Sequence, residues 1–184
     1  TGANYVDIDS AGATAAVTLT VTGDGTGTLD VDDDQTTIDA SATTGGMTIQ
    51  GDFAGNVTIT AGSGDDKIIA AGEVSASDVI DGGEGEDTLS VTADFSAATG
   101  TITNIEVVEL ADTTSQTIDA DDAFAGVSKF VVSGTHGTAD SAATYAVNDA
   151  ASGFEVTVST VDTLSTDTAY DDVVTVVLKT DGTA

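Results

Sequence analysis

The chain has no cysteine, no proline, no tryptophan and no arginine. Without cysteine, no disulfide staples the fold and no thiolate serves as nucleophile or metal ligand. The only basic side chains are Lys67, Lys129 and Lys179, scattered over 184 residues. No basic patch exists to neutralise phosphates, which excludes nucleic acid as a partner and disfavours an anionic membrane surface. No apolar run is long enough for a bilayer-spanning helix, so membrane insertion is not expected, and "TGANYVDIDS" at the start carries no signal-peptide pattern. Aromatics make up 4% of the residues, too few large side chains for a thick round core. The single histidine, His136 in "SGTHGTAD", sits among Gly and Thr with no Cys or Arg to assist it and reads as an exposed loop residue. No catalytic constellation emerges, and the expectation is that the protein is not an enzyme.

What the chain has instead is acid. Asp and Glu number 32 against three Lys, for a net charge of −29. Of these, 26 are Asp and six are Glu. Asp favours turns and is the short oxygen ligand of Ca²⁺ sites, whereas a merely solubilising surface would use Glu freely. Self-repulsion at this charge swells a chain unless cations neutralise it. Glycine is frequent at 21 residues, and Thr is abundant. Turns rich in Gly and strands rich in Thr point to an all-β protein.

Apolar beats recur at Leu19, Leu29, Ile38, Ile49, Ile59, Ile69, Ile80 and Leu89, at intervals of 9–11 residues. Each lies in a short alternating stretch, such as "VTLTV" (17–21), "VTITA" (57–61) or "DTLSV" (87–91), with Gly, Asp and Ser between. Alternation marks strands with one face inward. A hairpin meander or a parallel β-solenoid (β-roll or β-helix) with two strands per ~20-residue coil both fit such a beat. Further strands are predicted at 101–111, 127–134, 144–148, 154–161 and 171–179, with wider spacing, and "DDAFAG" (121–126) as at most one helical turn. "TIDASATTGGMTIQG" (37–51) is echoed by "TIDADDAFAGVSKFVVSG" (117–134). We therefore expect a β-roll over 1–111 and its continuation in larger, looser coils over 112–184, in preference to a separate β-sandwich.

Two stretches choose the solenoid. "AGSGDDKII" (61–69) and "GGEGEDTLS" (82–90) write the same turn 21 residues apart, one coil in a solenoid. Stacking them one strand spacing apart, about 4.8 Å, lets both serve one ion. Glycines open turn conformations closed to other residues and aim carbonyl oxygens inward, and the Asp adds a carboxylate. One turn offers too few oxygens for Ca²⁺, which takes 6–8. The candidate ligands are the carbonyls of Gly62, Gly64, Gly83 and Gly85, the carboxylates of Asp66 and Asp87, and Asp81 as an extra. Asp65, Glu84 and Glu86 occupy variable positions and are read as solvent-facing. The acidic clusters at 30–35, 119–124 and 169–174 are read as solvated turns.

"GGEGEDTLS" is a full match to the repeat-in-toxin (RTX) nonapeptide, G-G-x-G-x-D-x-apolar-x, and "AGSGDDKII" matches with Ala61 at the first Gly. "TGDGTGTLD" (22–30) resembles a degenerate third copy, with Gly27 where the Asp should stand. The resemblance implies Ca²⁺-binding parallel β-rolls, secretion by a one-step (type I) export route, and folding outside the cell. The Thr-rich composition with few complete nonapeptides is most similar to bacterial surface-layer proteins. That implies an extracellular structural subunit on the bacterial cell surface, assembling with copies of itself into a lattice or filament, with a cell-surface polysaccharide as candidate anchor. Two alternatives stay open: a segment of a large RTX adhesin, or the calcium-folded export module of a secreted enzyme or toxin.

Overall fold

A computed structural model describes residues 4–8, 17–31, 35–53, 55–71, 74, 77–91, 101–111, 116–119, 124–125, 127–133, 143–148, 155–158 and 174–179. Among them there is no helix, and every strand pair is parallel. The strands are β1 (Asn4–Ile8), β2 (Val17–Gly23), β3 (Gly27–Val31), β4 (Gln35–Thr43), β5 (Met47–Gly51), β6 (Thr58–Thr60), β7 (Lys67–Ala70), β8 (Val79–Asp81) and β9 (Thr88–Val91). They continue as β10 (Thr101–Thr103), β11 (Val107–Leu110), β12 (Gln116–Asp119), β13 (Phe124–Ala125), β14 (Lys129–Val132), β15 (Ala143–Asn148), β16 (Glu155–Val158) and β17 (Val174–Lys179).

The chain alternates between two sheets, as a β-solenoid requires. One has eight strands in the order β1-β3-β5-β7-β9-β11-β14-β16, the other six in the order β13-β10-β8-β6-β4-β2. Parallel register stacks like on like. Leu29, Ile49, Ile68, Leu89, Val108 and Phe130 form one inner column, at steps of 20, 19, 21, 19 and 22 residues. Leu19, Ile38, Ile59 and Ile80 run opposite, continued by Ile102. From Ile38 and Leu29 onward these side chains are buried. The core between the sheets is thin, and Ala40, Ala61 and Ala70 are buried in it.

Three expectations are corrected. The inward beat on β7 is Ile68; Ile69 pairs with Gln50 and Ser90 on the opposite face. Two adjacent isoleucines cannot share a face in a strand, and the register with Ile49 and Leu89 selects the first. The stretch 101–111 is two strands, β10 and β11. Asn104 breaks it with a φ of 53°, the left-handed region that Asn tolerates better than most residues. Phe124–Ala125, read as part of one helical turn, is strand β13 paired to β10.

Beyond β11 the coils lengthen. β14 pairs with β16 from Lys129 to Glu155, and β12, β15 and β17 build a third parallel sheet of their own. The echo between 37–51 and 117–134 holds in its second part, since β5 and β14 share a sheet. It fails in its first, since β4 and β12 do not.

Candidate metal centre

The strand-entry position just before β7 and β9 organises the site. It continues a column that runs Gly27, Met47, Asp66, Asp87 and Glu106, one residue per coil. Gly27 thus stands in the Asp position of the degenerate copy. From Asp66 onward, each carboxylate reaches back one coil and accepts the main-chain N–H of its predecessor. Met47 N donates to Asp66 Oδ1 at 2.5 Å, Asp66 N to Asp87 Oδ1 at 2.8 Å, and Asp87 N to Glu106 Oε2 at 2.9 Å.

The two repeat turns lie directly on one another. Gly64 N donates to Glu84 O at 2.7 Å, Glu84 N to Gly62 O at 3.0 Å, and Ser63 bridges Glu84 in parallel. Glu86 N donates to Asp65 Oδ1 at 3.0 Å. This closeness depends on glycine. Gly83 and Gly85 have φ of 89° and 145°, and a Cβ at either would overlap the carbonyl oxygen of Gly62 or Gly64. Gly62, Gly64, Asp66, Gly83, Gly85 and Asp87 therefore meet in one stack of two turns. Asp65, Glu84 and Glu86 are exposed, and Asp81 is half-buried at its margin.

The two aspartates differ in how their oxygens are used. Asp66 is 2% exposed, and its second oxygen accepts Gly62 N at 3.1 Å. The corresponding N–H in the next turn, Gly83 N, goes to Asp81 Oδ1 at 3.1 Å instead. Asp81 Oδ1 also accepts Asn104 Nδ2 at 2.7 Å. Asp87 is 1% exposed, and its Oδ2 is left with no hydrogen-bond partner. Burial, with the nearby charges of Asp66, Glu106 and Asp65, pushes the Asp87 carboxyl up to about 6. Burial also raises Asp66, against the two N–H groups that hold it down. An orphaned carboxylate oxygen in a buried site is costly unless a cation meets it.

Among the described residues, no three acidic, histidine or cysteine side chains gather around one point. A cation here would draw on main-chain carbonyls as well as carboxylates, which is the donor set of a hard oxygen-seeking ion such as Ca²⁺.

The family model described as RTX calcium-binding nonapeptide repeat (4 copies) matches residues 54–72 and 75–94. Those spans carry both turns and strands β6 to β9. The stretch that holds β6 to β9 is an RTX-type β-roll. Its nonapeptides are calcium-binding motifs. No curated protein and no solved structure matches the chain. The β-roll fits Ca²⁺ on its own geometry: stacked glycine turns, oxygen donors only, and one buried carboxylate oxygen with nothing to bind. When bound, Ca²⁺ supplies positive charge at that oxygen. Asp66 and Asp87 hold the strand entries, and the glycines let the turns approach.

Sequence reasoning passed over three residues. Glu106 continues the carboxylate column although its turn has lost the nonapeptide pattern. Its signal is only an acid one residue before an alternating stretch, "EVVEL". Asn104 supplies the left-handed residue of that shortened turn. Asp78, 1% exposed, does for the six-stranded sheet what Asp66 does for the other: its Oδ1 accepts Val57 N at 2.9 Å. His136 and Asp32–Asp34, Asp121–Asp122 and Asp171–Asp172 of the other acidic clusters lie outside the described residues.

Proposed function

We propose that this β-roll protein is a calcium-stabilised, non-enzymatic structural subunit that self-assembles into a surface layer or filament on the bacterial cell surface. The calcium-binding repeats already point to a secreted calcium-binding protein. The observation that carries the structural reading is the stacked pair of repeat turns with its orphaned Asp87 oxygen, which ties the fold to an ion abundant outside cells and scarce inside. An extracellular-type site has a Kd of about 10⁻⁴–10⁻³ M. At ~1 mM ion and a Kd of ~0.1 mM, one site stabilises the fold by about 1.4 kcal/mol, and almost nothing at cytoplasmic levels.

The described ends of the eight-stranded sheet support self-contacts. Val6 continues the column of Leu29 and Ile49 but is 47% exposed, and at the other end Val158 is 48% exposed. Open parallel edges with apolar columns behind them are templates for another chain. An acidic surface offers further bridging points for Ca²⁺ between subunits.

The test is a Ca²⁺ titration of chelator-stripped protein, followed by far-UV circular dichroism and light scattering together, with Mg²⁺ as control. Gain of β signal and growth of ordered particles near millimolar Ca²⁺ is expected. Folding without assembly would move the reading to an adhesin segment or an export module. Full structure in chelator with no response to Ca²⁺ would remove it.

A further inference from the structure

The open oxygen of the site is not engaged by the first repeat turn. Asp66 has both oxygens engaged, and Asp87 Oδ1 is engaged by Asp66 N. What remains is Asp87 Oδ2, beside Gly82. A Cβ on Gly82 would stand 2.7 Å from Asp87 Oδ2 and overlap the main-chain oxygen of Asn104. The two oxygens flank the same small space, no further apart than one bridging Ca²⁺ can span. Asn104 belongs to the next coil, on the far side of the second repeat turn from the first.

That next turn is unlike the repeats. Six residues, 82–87, separate β8 from β9, and only three, 104–106, separate β10 from β11. The left-handed conformation of Asn104 makes the short turn, and the bond from its side chain to Asp81 Oδ1 pins it to the coil before. Glu106 closes it, with Oε2 on Asp87 N. The family match ends at residue 94, short of the Asn104–Glu106 turn.

We propose that the Asn104–Glu106 turn is one wall of a calcium site outside the stack of the two nonapeptides, in which Asp87 Oδ2 and the Asn104 main-chain oxygen share one Ca²⁺. Glu106 adds negative charge alongside and positions Asp87 through its N–H. Water and further carbonyls complete the 6–8 oxygens, which makes the site weak, in the range suited to millimolar ion. The proposal rests on the calcium-binding character of the β-roll and not on its assembly.

Equilibrium dialysis of radioactive Ca²⁺ against the chelator-stripped full chain, dilute enough to stay unassembled, tests it. Asp66→Asn should keep this ion with its Kd changed by less than about threefold, while Asp87→Asn loses it and Glu106→Gln weakens it by roughly five- to tenfold. Gly82→Ala, which copies Ala61 of the first repeat, should block the space. If Gly82→Ala does not fold by circular dichroism, the contrast between Asp66→Asn and Asp87→Asn decides. Equal loss in Asp66→Asn and Asp87→Asn, with Glu106→Gln unchanged, would place the ion in the nonapeptide stack and overturn the proposal. Absence of any bound Ca²⁺ in the parent chain at ~10 mM would overturn it as well. A protein that binds as described yet never assembles would refute the lattice reading alone.

Discussion

Asp87→Asn separates the cost of a buried charge from the gain of binding a cation to it. The folded protein holds the Asp87 carboxyl at about 6, against an ordinary value of 3.8. The folded state therefore binds this proton more tightly than the unfolded chain. The resulting stability is complete below about pH 3.8 and is lost as pH rises through about 6. Across that interval the metal-free protein loses about 3 kcal/mol from this one group. An amide keeps an oxygen for the Asp66 N–H, carries no charge, and points an NH₂ toward the Asn104 carbonyl. In chelator at neutral pH, Asp87→Asn should thus stabilise the fold by about 1–3 kcal/mol. Below pH 4 the advantage should vanish. With ~1 mM Ca²⁺ the parent should recover about 1.4 kcal/mol and the variant nothing at this site. Urea unfolding followed by circular dichroism, at both pH values with and without Ca²⁺, reads all four quantities. A variant less stable than the parent by the same margin at both pH values would refute the argument, since the buried charge would then cost nothing. So would undiminished stabilisation by Ca²⁺.

Other positions give sharper structural tests. Gly83→Ala combines a left-handed φ with overlap on the Gly62 carbonyl and should cost about 3 kcal/mol or more. Gly55→Ala, at φ 111° but with open space around it, should cost only about 1–2 kcal/mol; equal thermal shifts in the two would show that turn stacking is not tight. Ile68→Thr should lower stability by about 2–4 kcal/mol and Ile69→Thr by less than about 1, and the reverse order in a thermal melt would mean the β7 register is slipped by one. Asp78→Ala leaves the buried Val57 N–H without its acceptor, at a cost of about 1–3 kcal/mol that is the same in Ca²⁺ and in chelator; a larger cost in Ca²⁺ would instead make Asp78 a ligand.

The coil period was legible because a parallel solenoid repeats its inner residues at a fixed step, and Ile38, Ile59 and Ile80 keep that step in the sequence itself. The paired turns were legible because glycine at 62, 64, 83 and 85 and aspartate at 66 and 87 have few substitutes there. Ile68 was misread as Ile69 because periodicity cannot separate adjacent like residues; only the hydrogen-bonded register does. Glu106 went unseen because shortening the turn from six residues to three erased the motif while keeping the strand entry. Asn104 was hidden inside an apparently continuous strand, since "TITNIEVVEL" alternates well enough to conceal one left-handed residue. The strands at 144–148 and 171–179 were legible by alternation, but their pairing with Gln116–Asp119 in a third sheet was not, since only the hydrogen-bonded register fixes it.

The carboxylate column gives the stack a direction. The strand-entry N–H groups of Met47, Asp66 and Asp87 are each answered by an acid side chain of the following coil, and the run ends at Glu106, whose N–H turns back to the Asp87 carbonyl. Removing a coil from the two ends is therefore not equivalent. Cutting back from the C-terminal side strips an acceptor from the coil left behind and exposes an unanswered donor. At this column, cutting from the N-terminal side instead frees a carboxylate oxygen, which water or a cation can serve. Loss of order should thus run more readily down the chain from its later coils than up from its earlier ones, and a cation bound beside Asp87 sits where that retreat would be stopped.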